Sequence, residues 1–386
     1  MHNVFRLSDK RSRVVDHLPT EIEAVAAARF VAAKIVEIGK EREQGRGHLL
    51  KQLDIVSRAG LLGISVPSEY GGADITNAVL AEIVSLLSES DVRIGESVES
   101  HFQVLECIRL FASDGQKAVY FSHALSGEQF ALVSSVDDHP ETVSASPNLH
   151  PDRTGFRLTA LTVALNGGFC DWIAVPAIDP KGGAVLALLA RDGDELTFRQ
   201  THGDLHGVGV ASLLLDLSDI HIPADSLLSI DHGSDAASTL SSLGTLLTGA
   251  VDLGVARAYF SAIGQCVAKT GHVEGDVFVM VGRLSARVDG AAAMIERAGQ
   301  NLDVAQVHPT PDSVLQASLA ANAAVVLAED VAIEARAKFV DRAESVDHQL
   351  HASQRREAIT ELGRKVSIAL GQFHTLGKAP AAWPFG

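Results

Sequence analysis

The chain has 386 residues, of which 46% are hydrophobic and 5% aromatic, and it carries a formal net charge of −16. A chain of that length exceeds what one core usually fills, so two or three subdomains are expected, and the acidic balance excludes a general phosphate-backbone binder, which needs Lys and Arg against phosphates. The three cysteines, Cys107, Cys170 and Cys266, are widely spaced in apolar or helical surroundings, as core thiols in a reducing compartment are. No unbroken apolar run reaches the ~18 to 20 residues of a membrane span, and Met1 to Pro19 is too charged for a signal-peptide core, so a cytoplasmic protein without membrane or nucleic-acid partners is expected.

From Glu21 to about Gly60, the positions Ile22, Val25, Ala26, Phe30, Ala33, Ile35, Val36 and Ile38 recur near helical spacing, which predicts one or two amphipathic helices. Pro67 and Gly71-Gly72 mark a loop, after which Asn77 to Ser90, Val98 to Ala112 and Gln116 to Ser126 resume the helical period. At Phe130 the period changes. Phe130 to Val136, Phe156 to Leu161, Trp172 to Ala177, Val185 to Ala190, Leu196 to Arg199 and Leu213 to Leu217 are short Val-, Leu- and Phe-rich runs between turn residues, the pattern of an antiparallel β unit. Helical periodicity returns in Thr239 to Thr270, Val277 to Val304, Pro311 to Arg342 and Ser353 to Phe373. The reading is an α+β chain: an N-terminal all-α domain over 1–127, a central antiparallel β domain over 128–235 and a C-terminal four-helix bundle over 236–386.

Five segments stand in a recognisable order: Gly60 to Gly72, Gly127-Glu128-Gln129-Phe130, Asp171-Trp172-Ile173, Gly207 to Ser212 and Ile220 to Pro223. With them the chain resembles the acyl-CoA dehydrogenase superfamily over roughly residues 20 to 300. The likeness is nearer to the flavin-dependent monooxygenase branch that includes sulfone and dibenzothiophene oxidising enzymes. It is carried there by His101-Phe102, Leu105-Glu106, Arg109-Leu110 and Ala250 to Arg257.

The resemblance implies a flavin, FAD or FMN, in a crevice between the β unit and the bundle, contacted by Ser134, Ser135, Asn166, Gly167 and Ser212. Its implied catalytic residue is His101, on a helix facing the substrate pocket. The sequence departs from the family at Thr162, Ala164 and Val208, where a charged, an aromatic and an arginine side chain are usual, and the branch's late histidine is absent near Glu357 to Glu361. No pair of histidines has metal-ligand spacing with acidic or Cys support, so no metal is expected.

Three functions stay open. One is a monooxygenase-type oxidoreductase acting on a small substrate with reduced flavin from a reductase; another is an acyl-CoA dehydrogenase whose glutamate base has no motif, Glu357 and Glu361 being candidates by position. The third is a non-catalytic relative that binds a ligand or a partner subunit. The family's assembly and the apolar Ala-rich helices lead to the expectation of a homotetramer.

Overall fold

The computed structural model describes residues 14–39, 46–133, 148–158, 162–165, 170–191, 197–200, 213–217, 219–231, 233–269 and 275–347. Five helices come first: α1 Glu21–Gly39, α2 Arg46–Arg58, α3 Asn77–Ser90, α4 Val92–Phe111 and α5 Asp114–Leu125. Side chains set the starts of α4 and α5. Asp91 caps α4 by accepting from the Arg93 N–H, and Ser113 with Gln116 forms a reciprocal capping box at the start of α5. The helix expected from Val98 begins six residues earlier because Gly95 does not break it. A Cβ at Gly95 would lie 1.9 Å from Ser88 Oγ, so this glycine is where α4 crosses close to α3.

Ten short strands follow: β1 Phe130–Leu132, β2 Leu149–Asp152, β3 Gly155–Leu158, β4 Thr162–Leu165, β5 Trp172–Ile178, β6 Ala184–Ala190, β7 Thr197–Gln200, β8 Leu213–Asp216, β9 His221–Pro223 and β10 Leu227–Ile230. They form three sheets, ordered β1-β5-β6-β10, β2-β3-β9 and β4-β8-β7. The expectation of a purely antiparallel unit is corrected: β1 runs parallel to β5, with Phe130 opposite Trp172, and Asn148 makes an isolated parallel bridge to Ile178. The chain between these strands is long enough for the crossover that parallel pairing requires, and Asp171 and Gln129 lock it by exchanging main-chain and side-chain hydrogen bonds.

Three long helices complete the described chain, α6 Asp235–Lys269, α7 Gly275–Val307 and α8 Pro311–Asp347. Thr310 and Ser313 cap α8 reciprocally, with Pro311 at its first position, where the sequence range expected for this helix also begins. The fourth helix expected at Ser353 to Phe373 lies outside the described residues. Within them, α6, α7 and α8 pack on one another and α3 packs on α6 and α7, so the N-terminal domain shares its core with the bundle. Gly249 and Gly299 permit this. A Cβ on Gly249 would come within 3.1 Å of Val325 Cα, and one on Gly299 within 2.5 Å of Ala78. Beside Gly299, Asp303 Oδ1 accepts from the Asn77 main-chain N–H at 2.8 Å and from its side-chain amide at 2.6 Å, tying α7 to the start of α3. α6 and α8 are long and apolar enough to cross a membrane by length and composition alone, but 67% of the apolar stretch of α6 is buried against the protein, as a core helix is.

Candidate functional site

α4 is the element around which the sequence-predicted pieces converge. On one face His101 is fully buried. Its Nε2 lies 2.8 Å from the Leu62 carbonyl, and its Nδ1 accepts from the Phe130 main-chain N–H at 3.0 Å. These partners assign the proton to Nε2. Burial pulls the imidazole pKa down to about 4, against a raising contribution from the Leu62 carbonyl, so the ring is neutral at physiological pH. Phe102 and Phe130 pack around it at 5.3 and 5.7 Å between ring centroids.

His101 therefore joins three of the recognised segments: the loop at Leu62, α4 and strand β1. Arg109 adds a second tie, donating to the Ser65 carbonyl at 2.6 Å and to Asp74 at 2.7 Å. Both ring nitrogens are engaged by the main chain, which is the geometry of a positioning residue; the sequence placed His101 in the substrate pocket.

The segments at Glu128 and Asp171 also meet. Trp172 stacks on Phe130 at 5.8 Å, and its indole N–H donates to Glu128 at 2.7 Å. Together they fix the start of β1. Ser134 and Ser135, with Asn166, Gly167 and Ser212, lie outside the described residues.

The other face of α4 is different. There Ser100 and Glu99 are half-buried, as are Leu132 at the end of β1 and Thr248 on α6. Ser100 Oγ accepts from the Leu132 N–H at 2.6 Å, which pins the strand end to this face. Glu99 Oε1 accepts from Thr248 Oγ1 at 2.6 Å and from Gln103 Nε2 at 3.1 Å. One turn beyond Thr248, Asp252 is buried.

Burial raises the Glu99 pKa to about 7, partly offset by the Thr248 hydrogen bond. It likewise raises Asp252 to about 7, reinforced by the charges of Glu99 and Glu329. Sequence reasoning missed this pair because no local motif marks it. The available signal was spacing: Glu96, Glu99 and Gln103 form a polar stripe on a helix whose other positions are core, and Thr245, Thr248 and Asp252 form a matching stripe on α6. The hydroxyl, amide and carboxyl groups of this face, in otherwise apolar surroundings, are a donor and acceptor set suited to a polar heterocycle such as a flavin ring. Among the described residues no group of three His, Cys, Asp or Glu could hold a metal ion.

Residues 21–128 match the family model of the acyl-CoA dehydrogenase N-terminal domain. The whole chain has the acyl-CoA dehydrogenase fold. Its structure superposes on dibenzothiophene monooxygenase (TdsC) from Paenibacillus sp. A11-2 with a TM-score of 0.75 at 19% identity, over 93% of this chain and 94% of that one. The same enzyme in complex with FMN and indole gives 0.76 at 20% identity, over 92% and 93%. Methanesulfinate monooxygenase MsuC from Pseudomonas fluorescens gives 0.72 at 17% identity, over 95% and 99%. By sequence, the very long-chain specific mitochondrial acyl-CoA dehydrogenase of Macaca fascicularis is 27% identical over 186 residues, 44% of this chain but 28% of that protein.

Proposed function

We propose that the protein is a flavin-dependent oxidoreductase of the monooxygenase type, acting on a small substrate in a crevice between the β unit and the bundle. The observation that carries this reading is the agreement of fold along more than nine tenths of both chains with a monooxygenase whose structure holds FMN. The side of α4 that faces α6 adds hydroxyl, amide and carboxyl groups next to the strand end from which Ser134 and Ser135 follow. Asn166, Gly167 and Ser212 complete the proposed set of flavin contacts. A bound flavin supplies a two-electron acceptor and, when reduced, reactivity toward oxygen. The chain supplies position and protons: His101 holds β1 against α4 without ionising, and the Glu99 carboxyl meets Thr248 on α6.

A flavin reductase as partner, a cytoplasmic location and a homotetramer belong to the same reading. For the last, Leu315, Leu319, Val326, Ile333 and Val340 form an exposed apolar stripe along α8 that assembly would cover.

The raised carboxyl pKa of Glu99 also favours a second reading, acyl-CoA dehydrogenation, because a base that removes a substrate α-proton needs such an environment. One experiment separates these readings. The purified protein is titrated with oxidised FMN and FAD, then reduced and exposed to oxygen, and in a parallel anaerobic sample offered straight-chain acyl-CoAs. Flavin binding with no bleaching by acyl-CoA supports the monooxygenase reading, and rapid bleaching supports the dehydrogenase. Absence of binding by either flavin would point to the non-catalytic relative.

A further inference from the structure

α8 buries one side and leaves the other bare. Ala317, Ala324, Ala328, Val331 and Ala335 are buried where the helix packs on α6 and α7. On the opposite side Leu315, Leu319, Val326, Ile333 and Val340 are between 41% and 57% exposed. At 3.6 residues per turn these five fall on one face, with Val326 on its centre line, midway between Leu319 and Ile333. Exposed apolar side chains scattered singly need no partner, but a continuous stripe of them does.

The other residues of this face restrict what can cover it. Asn322 and Glu329 lie along one edge of the stripe and Ala323 and Asp330 along the other, all four exposed. Two carboxylates at mid-length do not suit a lipid surface, which takes an unbroken apolar face rimmed by Lys and Arg. They suit a second α8, in one register. Two copies packed antiparallel about a two-fold axis bring like edges together. With the axis between Glu329 and Asp330, Val326 meets Ile333 of the second copy, but each carboxylate then meets its own copy, and juxtaposed like charges are unfavourable. With the axis at Val326, Leu319 lies against Ile333 of the second copy, Leu315 against its Ala337, Glu329 beside its Asn322 and Asp330 beside its Ala323. No carboxylate then meets a carboxylate. Asn322 gives one amide hydrogen to the Ser318 carbonyl at 2.8 Å, which leaves the other for the facing Glu329. Glu334 is drawn toward α7 by Arg287 at 2.8 Å.

We propose that this face of α8 is an interface with a second copy of the chain, the two helices running antiparallel across a two-fold axis at Val326. The inference rests on the homo-oligomer reading above and gives it a register and a symmetry.

The test is oxidative cross-linking of the full chain, with the assembly mass read by sedimentation. Cys107, Cys170 and Cys266 are buried, and the wild type controls for them. Val326→Cys sits on the axis, so it forms a disulfide with its own copy and runs as a dimer on non-reducing gels. Ile333→Cys alone does not, because the two copies of that position stand about 21 Å apart along the helices, beyond the ~7 Å a disulfide spans between Cα atoms. Mixed with Leu319→Cys it does cross-link. Val326→Asp, a change at an exposed position, lowers the assembly mass by half or more while helical circular dichroism stays as in the wild type. Preferential cross-linking of Val326→Cys with Ile333→Cys overturns the register. An oligomeric wild type with no cross-link at Val326→Cys, or with its mass kept in Val326→Asp, overturns the inference and leaves assembly to another surface. A monomeric wild type overturns both readings and leaves the stripe to the chain's own Ser353 to Phe373, where the sequence reading expects a helix.

Discussion

The two faces of α4 carry ionisable groups two residues apart that titrate in opposite senses. His101 faces β1 and the Leu62 loop, where each ring nitrogen has a main-chain partner and burial removes its charge by lowering its pKa. Glu99 faces α6, where burial among hydroxyl, amide and acid groups disfavours its charge by raising its pKa. At neutral pH the ring of His101 is uncharged, whereas the carboxyl of Glu99, raised to about 7, is divided between its two protonation states. Burial thus depresses a histidine and raises a glutamate on one helix, because in each case it disfavours the charged form.

The strongest way to break this comparison is His101→Ala. It leaves the Phe130 N–H and the Leu62 carbonyl buried without a partner and opens a void among Phe102 and Phe130, and it should cost about 3 to 5 kcal/mol in urea denaturation. A loss under about 1 kcal/mol, with turnover abolished, would return His101 to the catalytic role expected from the sequence.

Acid should separate the faces next. The folded pKa of His101 lies below its ordinary value of 6.5, at about 4, so the unfolded chain binds the proton first. Its contribution is present above about pH 6.5 and is lost as pH falls toward 4, up to about 3 kcal/mol. Comparing the pH dependence of wild-type stability with that of His101→Gln measures it, and the variant should show the shallower acid slope.

Glu99 runs the other way. Its folded pKa is raised from 4.5 to about 7, so the folded chain holds the proton longer and stability falls as pH rises through that interval. Glu99→Gln should remove this fall and stabilise the protein above about pH 7 by roughly 1 to 2 kcal/mol, a figure reduced because the side chain is only half-buried. An unchanged midpoint above that pH would contradict the buried environment.

The smallest effect expected is for Thr248→Val. It deletes one donor to Glu99 at about 1 kcal/mol or less and, because that hydrogen bond favours the charged form, moves the carboxyl pKa further up. Infrared titration of the protonated carboxyl reads the direction.

Most of the helical framework was legible from periodicity, since α3, α5, α7 and α8 have apolar faces that must be buried whatever their partners. The start of α4 was not, because Gly95 reads as a breaker until α3 lies against it and leaves no room for a Cβ. β2, β4, β9 and β10 were passed over as strands because each is three or four residues long and, β2 apart, gains its pairing from partners distant in sequence.

The sequence by itself determined the order of helices, strands and helices and the recognised segments, because apolar period and turn chemistry are local properties. Only the tertiary structure decided that β1 runs parallel to β5, that α3 packs on α6 and α7, and that His101 meets the Leu62 loop and β1 while Glu99 meets Thr248 on α6. Those outcomes depend on which groups meet across tens to hundreds of residues. Burial and hydrogen-bond partners set the charge of a histidine or a glutamate, and neither is written at the residue's own position.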